Sequence, residues 1–298
     1  MALSAKDFGN WVQAGKLAAQ ALSYGSTLVT PGARLLDVVD KIDQKIIDAG
    51  AMPAFPSQIS LDATAAHYCP DADDHLILSD QLAKVDIGVC FEGAVADTAL
   101  TVDLSGKNAR FVQAVDQAVA DALKLAVPGT RLGDIGKAIS DRIGSHGLVP
   151  IRNLTGHGVG KFEIHTWPTV PNYPNGDMTV LERDMVIAIE PFATNGEGAT
   201  GEAGLPQVFM EVARKPVRLQ GARDALSHIE AYKGLPFARR WLYPKIGRMQ
   251  ANLALSQLVQ IGALEQFPPL VERRRGLVSQ AEHTVIVREE PLVITKRA

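Results

Sequence analysis

Two aspartates occupy neighbouring strands of a predicted β-hairpin. Residues 84–91 and 94–102 alternate apolar with small or polar side chains, and a turn around Glu92 joins them. Because successive side chains of a strand point to opposite faces, Asp86 and Asp97 share one face. Their Cβ atoms lie about 5 Å apart if the two residues pair directly and about 7 Å apart if they are diagonal neighbours. Like charges this close favour a cation between them, and two solvated aspartates on an exposed face are the alternative.

Three more ionisable residues stand out from their surroundings: one lies between glycines, and two lie in segments whose pattern predicts strands. His157 lies between two glycines, where little side-chain bulk hinders a ligand. Glu190 ends the apolar run 185–189, and Glu282 interrupts the alternating segment 279–287. A carboxylate in such a segment is either a buried anomaly or a ligand.

The five residues together indicate a metal centre. Four carboxylates around one core cannot all stay ionised unless cations balance them. Two divalent ions would supply the charge, and oxygen-rich ligation with one imidazole suits Co, Mn, Fe or Zn in a pair about 3.5–4 Å apart. A hydroxide shared by such a pair is a nucleophile at neutral pH, so the predicted chemistry is hydrolysis.

An internal repeat indicates how the chain positions these residues. Residues 31–50 align without gaps to residues 128–147, with eight of the twenty positions identical. In each copy a Pro-Gly pair precedes an amphipathic pattern that ends at a glycine, which is typical of a helix. The pattern predicts four helices, and two helix–helix–strand halves related by a pseudo-twofold axis with the site at their seam. Two helices that merely share a common entry sequence are the alternative. The predicted helices cover about residues 7–23, 35–49, 107–125 and 132–145.

Composition is typical of a globular protein. The chain has 298 residues, a formal net charge of −3 and 46% hydrophobic residues, which indicates neither specific DNA binding nor a membrane. The start lacks the order of a signal peptide, and two cysteines make no disulfide scaffold, so we expect a cytoplasmic protein. Basic pairs and short helical patterns predict a helical insert subdomain at 205–270, set into a catalytic domain made of 1–204 and 271–298.

Seven motifs follow one another along nearly the whole chain: AAHY (65–68), KVDIG (84–88), VADTA (95–99), NLTGHGVG (153–160), EIHTWPTVPNY (163–173), AIEPFATNGEG (188–198) and AEHTV (281–285). Taken jointly and in this order, they resemble those of type 2 methionine aminopeptidases, in the compact archaeal form without an N-terminal extension. The resemblance implies the α+β class and the pita-bread fold, an antiparallel sheet flanked by two helix pairs, with a helical insert that contains LPFARRWL (235–242).

The resemblance also implies roles for individual residues. His67 and His165 match two histidines beside the scissile peptide, and Phe55 and Ile164 fall where family members line the methionine pocket. Glu190 is in addition the candidate proton shuttle. The five residues that match the metal ligands of the family are Asp86, Asp97, His157, Glu190 and Glu282.

The function implied is removal of the initiator methionine from nascent polypeptide N-termini, with a preference for a small second residue. A proline dipeptidase or aminopeptidase P, which shares the five ligands, is one alternative. A non-catalytic, ribosome-associated binding protein on the same fold is the other. We expect a monomer. The basic run 273–275 is interpreted as a solvated turn, with a transient contact to ribosomal RNA as the alternative.

Overall fold

The computed structural model describes residues 3–297. Within them, helices and strands alternate in the order of an α+β protein, as the sequence predicts. A 3₁₀ turn, Glu230–Tyr232, follows the fifth helix. The helices are α1 Ala5–Leu28, α2 Leu35–Asp48, α3 Ala109–Lys124, α4 Leu132–Ser145, α5 Gln220–Ile229, α6 Arg239–Ile246 and α7 Arg248–Gln260. The strands are β1 Met52–Leu61, β2 Thr64–Ala66, β3 Leu82–Phe91, β4 Ala94–Asp103, β5 Val149–Pro150, β6 Gly156–Gly160, β7 Glu163–Val170, β8 Val186–Ile189, β9 Phe192–Thr194, β10 Thr200–Glu202, β11 Val208–Glu211, β12 Phe237–Ala238, β13 Leu264–Phe267, β14 Leu270–Glu272, β15 Val278–Gln280, β16 Glu282–Ile286 and β17 Leu292–Val293.

One large antiparallel sheet carries the site. Its strands follow the order β1-β3-β4-β16-β8-β6-β7, and β17 pairs with β16. Two buried apolar clusters lie against it, one built with α1 and α2 and the other with α3 and α4. The helix pairs therefore each cover one half of the sheet, and the middle strands meet between the halves.

The repeat in the sequence is a repeat in the structure. Gly32 and Gly129 both adopt a left-handed backbone, with φ of 88° and 89°, which favours glycine. The first helical N–H group of each copy then donates to a backbone carbonyl of an incoming segment, Leu35 to Leu76 and Leu132 to Thr179, each at 2.9 Å. These equivalent backbone hydrogen bonds, together with one helix pair packed on each half of the sheet, support the predicted pseudo-twofold arrangement over a shared helix entry alone.

The hairpin adopts the diagonal register. Asp86 pairs with Ala99, and Gly88 pairs with Asp97. The alternative in which Asp86 and Asp97 face each other directly is wrong, because the turn centres on Glu92 and Gly93, whose φ angles of 50° and 90° suit a two-residue turn. The diagonal offset leaves room between the carboxylates while keeping both on one face.

Helix α1 is longer than the predicted 7–23. Ser4 caps its N-terminus by accepting a hydrogen bond from the N–H of Asp7 at 3.1 Å. The helix continues through Gly25 because tertiary packing outweighs the low helix propensity of glycine: a Cβ atom there would lie 2.6 Å from Ile42 Cδ1. The indole of Trp11 donates to Val95 O at 3.1 Å and so joins α1 to the hairpin.

The segment 205–270 is mixed rather than wholly helical. It contains α5, α6 and α7, as predicted, and also the small sheet β12-β11-β13, which the composition of the segment does not reveal. Arg240 joins it to the rest: its guanidinium donates to Asp40 at 2.9 Å and to Pro70 O at 3.0 Å, and the side chain is buried. Of the helices within residues 3–297, none combines the length and the apolarity that a bilayer crossing needs.

Candidate metal centre and active site

Five adjacent strands of the large sheet each bring one polar side chain to the same place. Asp86 comes from β3, Asp97 from β4, Glu282 from β16, Glu190 from the end of β8 and His157 from β6, which is the strand order of the sheet. They form two overlapping groups whose ligand atoms lie within 4.8 Å of one another, and Glu282 belongs to both. The groups are Asp97, His157 and Glu282, and Asp86, Glu190 and Glu282.

Side-chain hydrogen bonds fix β4 against β16. The Thr284 hydroxyl donates to Asp97 O at 2.7 Å and accepts from Asp97 N at 2.8 Å. Thr98 Oγ1 donates to Glu282 O at 2.9 Å. These buried hydroxyls hold the two strands in register where the two carboxylates project, so Asp97 and Glu282 meet without freedom to separate.

A buried glutamine that the sequence did not single out joins two of the carboxylates. Gln280 Nε2 donates to Asp86 Oδ2 at 3.1 Å and to Glu190 Oε1 at 2.7 Å. Its backbone is held in turn by Thr101, whose hydroxyl accepts from Gln280 N and donates to Gln280 O. The available signal was its position two residues before Glu282, on the same face of an extended segment.

Several carboxylate oxygens at the centre have no hydrogen-bond partner among the described residues. Leaving buried acceptors unsatisfied is costly, and a cation satisfies them best. The donor set therefore fits divalent metal ions. The orphaned atoms are Asp86 Oδ1, Asp97 Oδ1, Glu282 Oε1 and Glu282 Oε2.

His157 presents the tautomer that metal ligation requires. Its Nδ1 lies 3.1 Å from Gly158 O and can only donate there, which leaves the Nε2 lone pair free, 3.7 Å from Asp97 Oδ2. Burial, with a smaller contribution from the neighbouring His165, lowers the pKa of His157 to about 3, so the ring is neutral near pH 7.

The pKa values of the four carboxylates shift in the opposite direction, upward. Burial raises the pKa of Asp86 to about 6. Burial, together with the other carboxylates, raises the pKa of Asp97, Glu190 and Glu282 well above the usual range. Without cations, part of this cluster stays protonated at neutral pH, because four negative charges cannot be confined there.

A cavity of about 550 Å³ opens above the carboxylates. Apart from Glu282, which is buried beneath, all the residues singled out from the sequence line it. The apolar members Phe55 and Ile164 are 7% and 4% exposed, so they form a firm wall. The lining residues predicted from sequence are Phe55, His67, Asp86, Asp97, His157, Ile164, His165 and Glu190.

Two neutral histidines flank the carboxylates. The ring centroids of His157 and His165 lie 4.5 Å apart, edge to face. His67 has a left-handed backbone, with φ of 65°, an unfavourable conformation of the kind that concentrates at functional sites. Burial lowers the pKa of His67 to about 4, and desolvation within the open cavity lowers that of His165, so both rings can donate a hydrogen bond without carrying charge.

The chain belongs to metallopeptidase family M24, which it matches over residues 10–289. It is similar to two proteins named methionine aminopeptidase. One, from Archaeoglobus fulgidus, is 40% identical over 288 residues, which cover 96% of this chain and 97% of the relative. The other, from Thermococcus onnurineus, is 42% identical over 287 residues, which cover 95% and 97%.

Solved structures show the same fold. A thermophilic Arx1 aligns with a TM-score of 0.88 at 16% identity and covers 98% of this chain and 91% of its own. A methionine aminopeptidase from Rickettsia prowazekii has a TM-score of 0.73 at 23% identity and 99% coverage of both chains. A prolidase from Pyrococcus horikoshii has a TM-score of 0.63 at 21% identity, and this chain covers only 63% of it. The pita-bread fold predicted from the motifs is thus confirmed.

Proposed function

We propose that this protein removes the N-terminal methionine from polypeptides whose second residue is small. The observation that carries the proposal is the convergence of one polar side chain from each of five adjacent strands beneath a cavity with an apolar wall. The similarity to relatives named methionine aminopeptidase over almost the whole chain supports it.

The five residues on the large sheet would hold two divalent ions. Asp97, His157 and Glu282 supply one set of ligand atoms, and Asp86 and Glu190 complete the other with the shared Glu282. When bound, the ions supply a water of lowered pKa and electrostatic polarisation of the peptide carbonyl. Cobalt, manganese, iron and zinc all suit this ligand set.

Glu190 would move the proton. It lines the cavity while Gln280 holds its Oε1 atom, so its position relative to a substrate is fixed. A carboxylate held in this position can accept a proton from the attacking water and return it to the leaving amine.

His67 and His165 would orient the scissile peptide. Both line the cavity and both are neutral near pH 7, so an imidazole N–H can donate to the carbonyl oxygen as negative charge develops there. Phe55 and Ile164 would receive the methionine side chain, because a buried apolar wall suits an unbranched thioether.

The test is a peptidase assay on defined peptides. Purified protein loaded with Mn²⁺ or Co²⁺ should release methionine from Met-Ala-Ser, and Asp97→Asn should abolish release together with stoichiometric metal binding. Circular dichroism of the variant should show an intact fold. Metal-loaded protein that leaves Met-Ala-Ser uncut would refute the proposal.

Two other functions are distinguished by the same assay. A proline-specific peptidase would cut Xaa-Pro peptides such as Leu-Pro and leave Met-Ala-Ser intact. A non-catalytic binding protein would cut neither. The complete set of ligand side chains at the centre argues against the non-catalytic binding protein. The similarity to relatives named methionine aminopeptidase over almost the whole chain argues against the proline-specific peptidase.

The proposed function extends to the substrates, the cellular location and the domain organisation of the protein. We propose that its substrates are nascent polypeptides, that it acts as a cytoplasmic monomer, and that 1–204 with 271–298 form its catalytic domain around the insert at 205–270. Arg273 and Arg274 are exposed and lie 3.8 Å from the carboxylate of Glu197, an arrangement that leaves a basic surface for a transient ribosome contact. Co-sedimentation with ribosomes, with and without substitution of 273–275 by serine, tests that contact.

A further inference from the structure

A large aromatic side chain lies exposed at the mouth of the cavity and has no part in the chemistry above. Trp167 lines the cavity but is 66% exposed, whereas Trp11 is 5% exposed. An exposed aromatic next to a binding cavity is typical of a contact surface, because binding removes a large apolar area from water.

The strand that carries Trp167 also carries His165. Along β7 the side chains of Glu163, His165, Trp167 and Thr169 are exposed, and the intervening Ile164 and Pro168 are buried. The pairing of β7 with β6 is irregular between Glu163 and Thr166 and again between Thr166 and Thr169, so strict alternation does not assign these side chains to faces. His165, Trp167 and Thr169 nevertheless all line the cavity, so it is the cavity that brings them together.

The two-residue spacing of His165 and Trp167 along β7 sets which substrate residue Trp167 meets. Two residues of a strand advance about 7 Å, and an extended peptide that runs beside the strand advances by the same amount over two of its own residues. If His165 contacts the peptide bond between the first and second substrate residues, Trp167 lies beside the third. This step rests on the function proposed above.

We propose that Trp167 forms a binding surface for the third residue of the substrate and selects apolar side chains there. The indole offers a broad apolar face with little conformational entropy to lose. Methionine at the first position and a small second residue would then be necessary, and the third residue would set the efficiency.

The experiment compares two peptides within each protein variant. Wild-type enzyme should cleave Met-Ala-Leu-Ser with a kcat/KM about fivefold above that for Met-Ala-Gly-Ser, a modest ratio because the surface is open. The difference should lie in KM, since the contact is remote from the scissile bond. In Trp167→Ala the ratio should fall to about one, and Trp167→Phe should restore most of it.

Met249→Ala is the matched control, because Met249 is 78% exposed on α7 and does not line the cavity. It should keep the wild-type ratio. An unchanged ratio in Trp167→Ala, or an equal loss in Met249→Ala, would overturn the inference. Because both peptides are compared within one variant, a general loss of activity does not affect the ratio. If wild-type enzyme cuts neither peptide, the proposed function fails instead.

A binding measurement gives a readout that does not need turnover. An analogue of Met-Ala-Leu-Ser with a reduced scissile bond should shift the tryptophan emission of wild-type protein to shorter wavelength as Trp167 leaves water. Trp167→Phe should bind the analogue without that shift. A shift of equal size in both proteins would show that the peptide covers another tryptophan.

Discussion

At the scale of single residues, the centre depends on groups that touch the proposed metal ligands as much as on the ligands. The amide of Gln280 is the sole neutral side-chain donor that bridges Asp86 and Glu190 among the described residues. It orients one oxygen of each carboxylate and leaves Asp86 Oδ1 without a partner, available for a cation. Partners of this kind tune metal sites strongly because they hold ligands in position before the ion arrives.

We therefore expect Gln280→Leu to weaken Mn²⁺ binding by roughly 10- to 100-fold. The isosteric loss of the amide frees both carboxylates, and their mutual repulsion then opposes the bound geometry. Isothermal titration calorimetry of metal-free protein measures the affinity. Gln266→Leu, at an exposed glutamine of β13, is the control and should bind as wild type does. Equal affinities for all three proteins would show that Gln280 only fills space.

At the scale of elements, close packing between a helix and a neighbouring segment decides which positions of the helix require glycine. On α1, a Cβ atom added at Gly15 would lie 2.4 Å from the backbone oxygen of Ile294, next to β17. At Gly9 on the same helix it would meet nothing within 4 Å. One helix thus carries a glycine that packing needs and a glycine that it does not.

Alanine substitutions at these positions should have opposite effects. Gly15→Ala should lower the free energy of unfolding by about 1–3 kcal/mol, because backbone atoms of the C-terminal segment must move. Gly9→Ala should raise it by about 0.5–1 kcal/mol through the better helix propensity of alanine. Urea denaturation followed by circular dichroism measures both. Stabilisation by Gly15→Ala would mean that the C-terminal segment packs less closely than described.

At the scale of the whole molecule, metal binding and folding are coupled. The buried carboxylates at the seam of the two halves keep protons in the metal-free fold at pH values where the unfolded chain has lost them. The folded state then binds more protons than the unfolded state. The free energy of unfolding of the metal-free protein therefore falls as pH rises from the ordinary carboxyl range toward these raised pKa values. Metal ions displace the protons and remove this penalty.

We expect the rise in Tm on adding Mn²⁺ to be larger at about pH 8 than at about pH 6. Other buried groups with shifted pKa values, such as His283, titrate in both forms and cancel in the difference. Differential scanning calorimetry with Mn²⁺ and with a chelator gives the two Tm values. Glu282→Gln, which removes the carboxylate shared by both groups, should flatten the pH dependence. A metal effect that is equal at both pH values in wild-type protein would contradict the coupling.

Much of the architecture was predictable because local rules carry it. The Pro-Gly entries, the apolar periodicity and the terminal glycines placed α2 and α4 within a residue, and the repeat implied the two halves. Helix α1 was predicted too short and the sheet in 205–270 was missed, because contacts distant in sequence decide both. The missing side chain of Gly25 leaves room for Ile42 of α2, which packs against α1 there. The strands of the small sheet are only two to four residues long, too short for a clear alternating pattern.

The sequence by itself determined the types of the five polar residues and the strands that carry them, because period-two alternation assigns a side chain to a face. It left open whether Asp86 and Asp97 pair directly or diagonally, and it gave no role to Gln280 or Trp167. The tertiary structure decided these points. Only the order in which β3, β4, β16, β8 and β6 pair sets which faces adjoin, and that order follows from the packing of two helix pairs against one sheet.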